Sequence, residues 1–150
     1  MKDKKTKKIK TDKKTLENIA FLKEIVKEYN VSEDTSNLKT VLEKLQERVE
    51  YYIKILLQIL HPEEFHSLHE CVIFNDEEKN KIFSIYKELM IMHREILKAI
   101  VKNDEKEMIL VLKKTHSEIK NIKPDILWVL EKMQDSWRKN ISNGRVKYFG

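Results

Sequence analysis

Apolar residues recur along most of this chain at helical spacing, with polar residues filling the positions between them. Leu16, Ile19, Leu22, Val26 and Tyr29, behind Thr15 as a suitable N-cap, predict a first helix over about 15–30. Residues 31–36, Val-Ser-Glu-Asp-Thr-Ser, carry no period and are rich in turn formers, which makes them a loop. Leu38, Leu42, Leu45, Val49, Tyr52, Leu56 and Ile59 then alternate spacings of four and three, a heptad seam that predicts a long helix over about 37–60. Its second half adds Tyr51, Ile53, Ile55, Leu57 and Leu60, so apolar groups cover most of the circumference, as in a helix surrounded by others or burying a dimer face.

Pro62 stops that helix, because its ring removes a backbone donor and disfavours helical geometry in His61. A short helix from Pro62 to about Cys71, with proline at its first position, is expected next, followed by Val72, Ile73 and Phe74 packing inward. Asn75 with Glu78 reads as a capping box opening a helix over about 76–102, whose seam is Ile82, Tyr86, Leu89, His93, Ile96 and Ile100. Asp104 with Glu107 repeats the capping signature, so Lys102-Asn103 is a tight reversal and the helix over about 105–122 runs antiparallel to its predecessor. Pro124 predicts a kink or break before a last helix over about 124–141, with Ile126, Leu127, Leu130, Met133 and Trp137 continuing the apolar pattern. The expected fold is all-α: a four- to five-helix, mostly antiparallel up-and-down bundle over 15–141, between a basic, disordered arm at 1–14 and a basic, aromatic tail at 142–150.

Composition narrows the chemistry. Both glycines lie near the end of the sequence, at Gly144 and Gly150, whereas a P-loop, a dinucleotide fingerprint or a nucleophile elbow each needs glycine where the backbone turns sharply or meets a phosphate. Nucleotide-dependent catalysis is therefore not expected. Cys71 is the only cysteine, so no internal disulfide and no thiol-rich zinc site can form, and a reducing, cytoplasmic setting is the expectation. The most apolar run, Tyr51 to Leu60, is interrupted by Lys54 and Gln58, so neither a membrane span nor a membrane partner is expected.

Charge is partitioned by position. Lys2, Lys4, Lys5, Lys7, Lys8, Lys10, Lys13 and Lys14 face only Asp3 and Asp12 within residues 1–14, a net +6; Arg138, Lys139, Arg145 and Lys147 make residues 138–150 +4. Residues 15–137 hold 18 basic and 23 acidic side chains, a net −5, so an acidic body carries two basic ends. Such ends suit phosphate backbones, whose counterions they release, and they read charge without reading base sequence. A solvated tail that keeps the protein soluble has the same composition. From Trp137 onward basic and aromatic residues interleave, a pattern that can stack on unpaired bases. The same segment also fits a helix ending near Ser142, capped at Gly144, with Tyr148 or Phe149 folding back.

The densest chemistry lies in residues 61–71, His-Pro-Glu-Glu-Phe-His-Ser-Leu-His-Glu-Cys, with three of the five histidines, three carboxylates and the thiol. Glu63 and His66 are three apart, and His66 and Glu70 four apart, spacings that share a helix face. His93 and His116 fall at similar depth on either side of the reversal near residue 103. His66, Glu70, His93 and His116 are thus a candidate ligand set for iron, zinc or manganese. The His66-x-x-x-Glu70 element resembles that of hemerythrin-like bundles. Leu97 and Asn121 stand where that family would supply a second histidine and an aspartate, and the single Glu-x-x-His element falls short of the pair that ferritin-like bundles use, so neither family is assigned. Ser67 between His66 and His69 specifies no oxyanion hole, and Cys71 is expected to be a buried, inert thiol, so catalysis is not expected.

These observations point to a non-enzymatic helical binding module without a cofactor, touching RNA or DNA phosphates, or a ribonucleoprotein, through its basic ends and a protein through the bundle. Two alternatives stand beside it: the metal-binding bundle just described, and a structural homodimer joined through the 37–60 seam.

Overall fold

In a computed structural model that describes residues 17–29 and 37–142, all regular structure is helical. Helix α1 covers 17–28, α2 Leu38–Leu60, α3 Phe65–Cys71, α4 Asp76–Lys102 and α5 Glu105–Ser142, and together they make an all-α bundle. The backbone divides within α2 into two compact units, residues 1–44 and 45–150.

In the first unit α1 buries Ile25 and Tyr29, four apart, while Ile19, expected inside, is 44% exposed and Leu22 and Val26 are half-buried. Asn37 caps α2: its Oδ1 accepts from the Thr40 N–H at 2.7 Å and from the Thr40 hydroxyl at 2.8 Å. Val41 and Leu42 are buried one turn further on.

In the second unit the remaining seam of α2, Leu45, Val49, Tyr52, Leu56 and Ile59, is buried as the heptad spacing predicts. On another face of α2, Tyr51 is 63% exposed. The short helix does not begin at Pro62. It spans Phe65–Cys71, with Glu64 extended at its N-cap, because proline after His61 ends α2 and three further residues are used to redirect the chain.

Helix α4 opens with the capping box: Asn75 accepts from the Glu78 N–H at 2.8 Å, and the Asn75 N–H donates to the Glu78 carboxylate at 3.0 Å. It closes at Asn103, in the left-handed region at φ 52°, which an asparagine tolerates better than most residues. The buried positions are Ile82, Ile85, Leu89, Met92, Ile96 and Ala99. Three of them were expected. In place of Ile85, Met92 and Ala99 the periodicity predicts Tyr86, His93 and Ile100, which are half-buried, since two neighbouring strips of a helix share every seventh residue.

Helix α5 corrects the expectation of two helices. Pro124 lies inside one continuous helix, at an exposed position. Met108, Leu112, Thr115, Ile119, Ile122, Ile126, Val129, Met133 and Ser136 are buried at unbroken spacings of four and three on both sides of it. Proline in a helix interior costs about 3 kcal/mol, whereas burying one large apolar side chain returns about 1.5–3 kcal/mol, so Ile126, Val129 and Met133, buried beyond the proline, outweigh the missing hydrogen bond. Leu127, Leu130 and Trp137, expected inside, are 49%, 38% and 38% exposed.

Ion pairs tie α4 to α5 along their length: Lys102 with Glu107 at 3.2 Å, Glu95 with Lys114 at 2.9 Å, Lys81 with Asp125 at 3.1 Å, and Glu78 with Lys132. Partners advance along α5 as they retreat along α4, which is the antiparallel packing predicted from the Lys102-Asn103 reversal. Trp128 sits among the last two pairs, edge-on to Phe74 at 5.9 Å and with the Lys81 ammonium 4.6 Å from its ring centroid. Among the described residues no helix is long and apolar enough to cross a membrane.

Candidate functional site

The basic residues proposed for phosphate contact divide at the limits of the described chain. Lys2, Lys4, Lys5, Lys7, Lys8, Lys10, Lys13, Lys14, Arg145 and Lys147 lie outside it, as do the expected disordered arm, the Thr15 cap, the turn at Gly144, and Tyr148 and Phe149. Arg138 and Lys139 stand exposed near the end of α5, and Arg138 reaches the Asp135 carboxylate only loosely, at 3.8 Å. Beside them Trp137 leans on α3. Its ring lies 4.2 Å from that of His69, and its Nε1–H donates to Glu70 at 2.7 Å. One indole thereby fixes α3 against the end of α5, and 38% of Trp137 remains open to solvent.

The four candidate metal ligands take up separate tasks. Glu70 accepts from Trp137, His66 lies beside Glu64 at 3.2 Å, and His116 is buried in α5. His93 bridges α4 to α2, its Nε2 2.9 Å from Glu50 and its Nδ1 2.9 Å from the Arg94 guanidinium. Arginine can only donate, so Nδ1 accepts and Nε2 carries the proton given to Glu50. Among the described residues no three histidine, cysteine, aspartate or glutamate side chains are gathered as a metal site. Cys71, expected to be buried, is half-buried, with its thiol donating to the Leu68 carbonyl at 3.3 Å.

The shifted ionisations belong to the interhelical pairs. The Glu50 carboxyl is held below the usual carboxylate range, first by the His93 hydrogen bond and then by the Gln46 amide at 3.0 Å. Glu78 is lowered by the Lys132 ammonium and then by the Asn75 N–H, and Lys114 is raised by the Glu95 carboxylate. Charge here is used to join helices.

A polar pocket lies elsewhere, where α2 ends and α3 begins. Lys54, His61, Glu63, Glu64, His66 and Ser67 line a pocket of about 380 Å³. His61 Nδ1 is 3.3 Å from Glu63, and His66 Nδ1 is 3.2 Å from Glu64. The sequence reading passed over His61, Lys54 and Glu50. For His61 the signal was present in the mirrored His61-x-Glu63 and Glu64-x-His66 spacings, whereas nothing in the sequence joins Glu50 to His93, 43 residues away. No protein family, characterised protein or solved structure matches the chain.

Proposed function

We propose that this protein is a non-enzymatic binding module that contacts nucleic-acid phosphates through residues 1–14, assisted by 138–150, and a protein partner through the bundle. The observation that carries the reading is the partition of charge, +6 and +4 at the two ends against −5 between them. A uniformly basic surface would bind polyanions anywhere, whereas an acidic body repels them and confines contact to the ends. Support comes from Arg138 and Lys139, exposed beside the partly open ring of Trp137, where phosphate contact and base stacking can be combined. On the bundle, Phe65 and Leu68 on α3 and Val72 just after it are 56%, 51% and 71% exposed, and exposed apolar groups of this kind mark protein contact surfaces. A cytoplasmic location belongs to the same proposal and rests on the single cysteine.

The test is binding of labelled single-stranded and structured RNA at 50 and 200 mM salt, comparing the whole chain with a variant beginning at Thr15. Affinity that falls steeply with salt in the whole chain and weakens with a flatter slope in the truncated one is expected. Equal binding by both proteins would remove the arm from the interface. Absence of binding at 50 mM would leave the ends as solubilising segments.

A further inference from the structure

Helix α3 presents an apolar strip outward beside the last turns of α5. Phe65, Leu68 and Val72 are spaced three and four apart and stand exposed on one side, the backbone keeping its helical geometry through Val72. Helix α5 advances as this segment is retraced: Phe74 meets Trp128, and His69 meets Trp137. Ser142 follows Trp137 by about 8 Å of helix and Phe65 precedes His69 by about 6 Å, so α5 delivers the chain to the N-terminal edge of α3.

We propose that residues 143–150 fold back along α3 and cover this strip with Val146 and Tyr148. Asn143-Gly144, directly after the helix, is a pair that favours reversal. Residues 145–150 span up to about 20 Å when extended, whereas α3 is about 10 Å long, so the segment reaches the whole strip. An extended chain alternates its side chains, which puts Val146 and Tyr148 on one side and Arg145 and Lys147 on the other. Charge agrees with this occupant. Residues 61–71 carry Glu63, Glu64 and Glu70 with no lysine or arginine, a net −3 with neutral histidines, while 143–150 carry Arg145 and Lys147 with no acid, a net +2. The stems of Arg145 and Lys147 are long enough to lean back toward those carboxylates from the outer side. A second copy docked through the same strip would instead set the carboxylates against their own counterparts. The contact is independent of nucleic-acid binding, and a protein partner reaching α3 has first to displace this segment.

Photo-crosslinking in the purified whole chain tests the contact, with Tyr148→p-benzoylphenylalanine as the probe, peptide mass spectrometry to locate the products and circular dichroism to confirm each fold. Crosslinks within one chain to residues 65–72 are expected, at a yield independent of protein concentration. Leu68→Asp, at an exposed position, should lower that yield about tenfold, the equivalent of losing one apolar contact, and Arg145→Glu combined with Lys147→Glu should lower it several-fold. Crosslinks between chains that rise with concentration would give the strip to a second copy. That outcome, crosslinks confined to other regions, no crosslink at all, or a yield unchanged in Leu68→Asp would each overturn the proposal.

Discussion

At the scale of single residues, three polar groups carry separable energies. Asn75 satisfies a helix N-terminus, and Asn75→Ala should lower unfolding free energy by about 1 kcal/mol in urea titrations. Thr115 is the opposite case: it is fully buried and its hydroxyl has no hydrogen-bond partner among the described residues, so it bears a desolvation cost with no bond in return. Thr115→Val keeps the shape and removes that cost, and should leave stability unchanged or raise it by up to about 1 kcal/mol in the same titrations. Glu50 is a pH-dependent case. Because His93 holds its pKa down in the folded state, its contribution is present above the ordinary carboxylate range and is lost as pH falls through the lowered value. Thermal melts should therefore place Glu50→Gln below the parent protein at pH 7, with the gap closing as pH drops below 4.5, the ordinary value for this carboxyl. The cap at Asn75 was legible in the sequence, since both of its partners lie within three residues. The Glu50–His93 pair was not, because its geometry exists only once α2 and α4 lie side by side.

At the scale of the helix, α5 shows local preference yielding to packing. Proline and its predecessor Lys123 both argue against a helix at this point, and a segment read in isolation would break there. The stripe from Met108 to Ser136 crosses it without a change of spacing, so breaking the helix would cost more buried surface than the proline costs in backbone geometry. Pro124→Ala should raise unfolding free energy by about 1–3 kcal/mol, measured by urea denaturation. The continuous stripe could have been read by extending the spacing of 105–122 onward to Ile126, Val129 and Met133. The choice of Leu127, Leu130 and Trp137 followed a second, equally periodic strip that the tertiary structure leaves outside.

At the scale of the whole molecule, apolar burial outweighs the ion pairs. The Glu95–Lys114 pair is 34% and 52% exposed, and pairs so placed contribute about 0–1 kcal/mol. Leu56 and Leu89 are fully buried, and leucine-to-alanine changes at such sites cost about 2–5 kcal/mol. Denaturation midpoints should thus move several times further for Leu89→Ala than for Glu95→Gln, and added salt should shift the parent protein little. Nucleic-acid binding, resting on charge at the ends, should respond to salt in the opposite manner. Salt therefore separates the forces proposed for function from those that hold the bundle.

The sequence by itself determined the helical class, α4 to the residue, the end of α2 at Leu60, the capping box and the tight reversal at Lys102-Asn103, because each depends on side chains within one or two turns of the same chain. It also determined the charge partition, which needs no coordinates. Only the tertiary structure decided that Pro124 is passed through, which of two adjacent strips of α4 and α5 turns inward, that His93 pairs with Glu50, and that His61 and His66 open onto one pocket. Each of these is settled by what lies opposite in space, and a periodic pattern specifies a face only to within one neighbouring strip until its partner is in place.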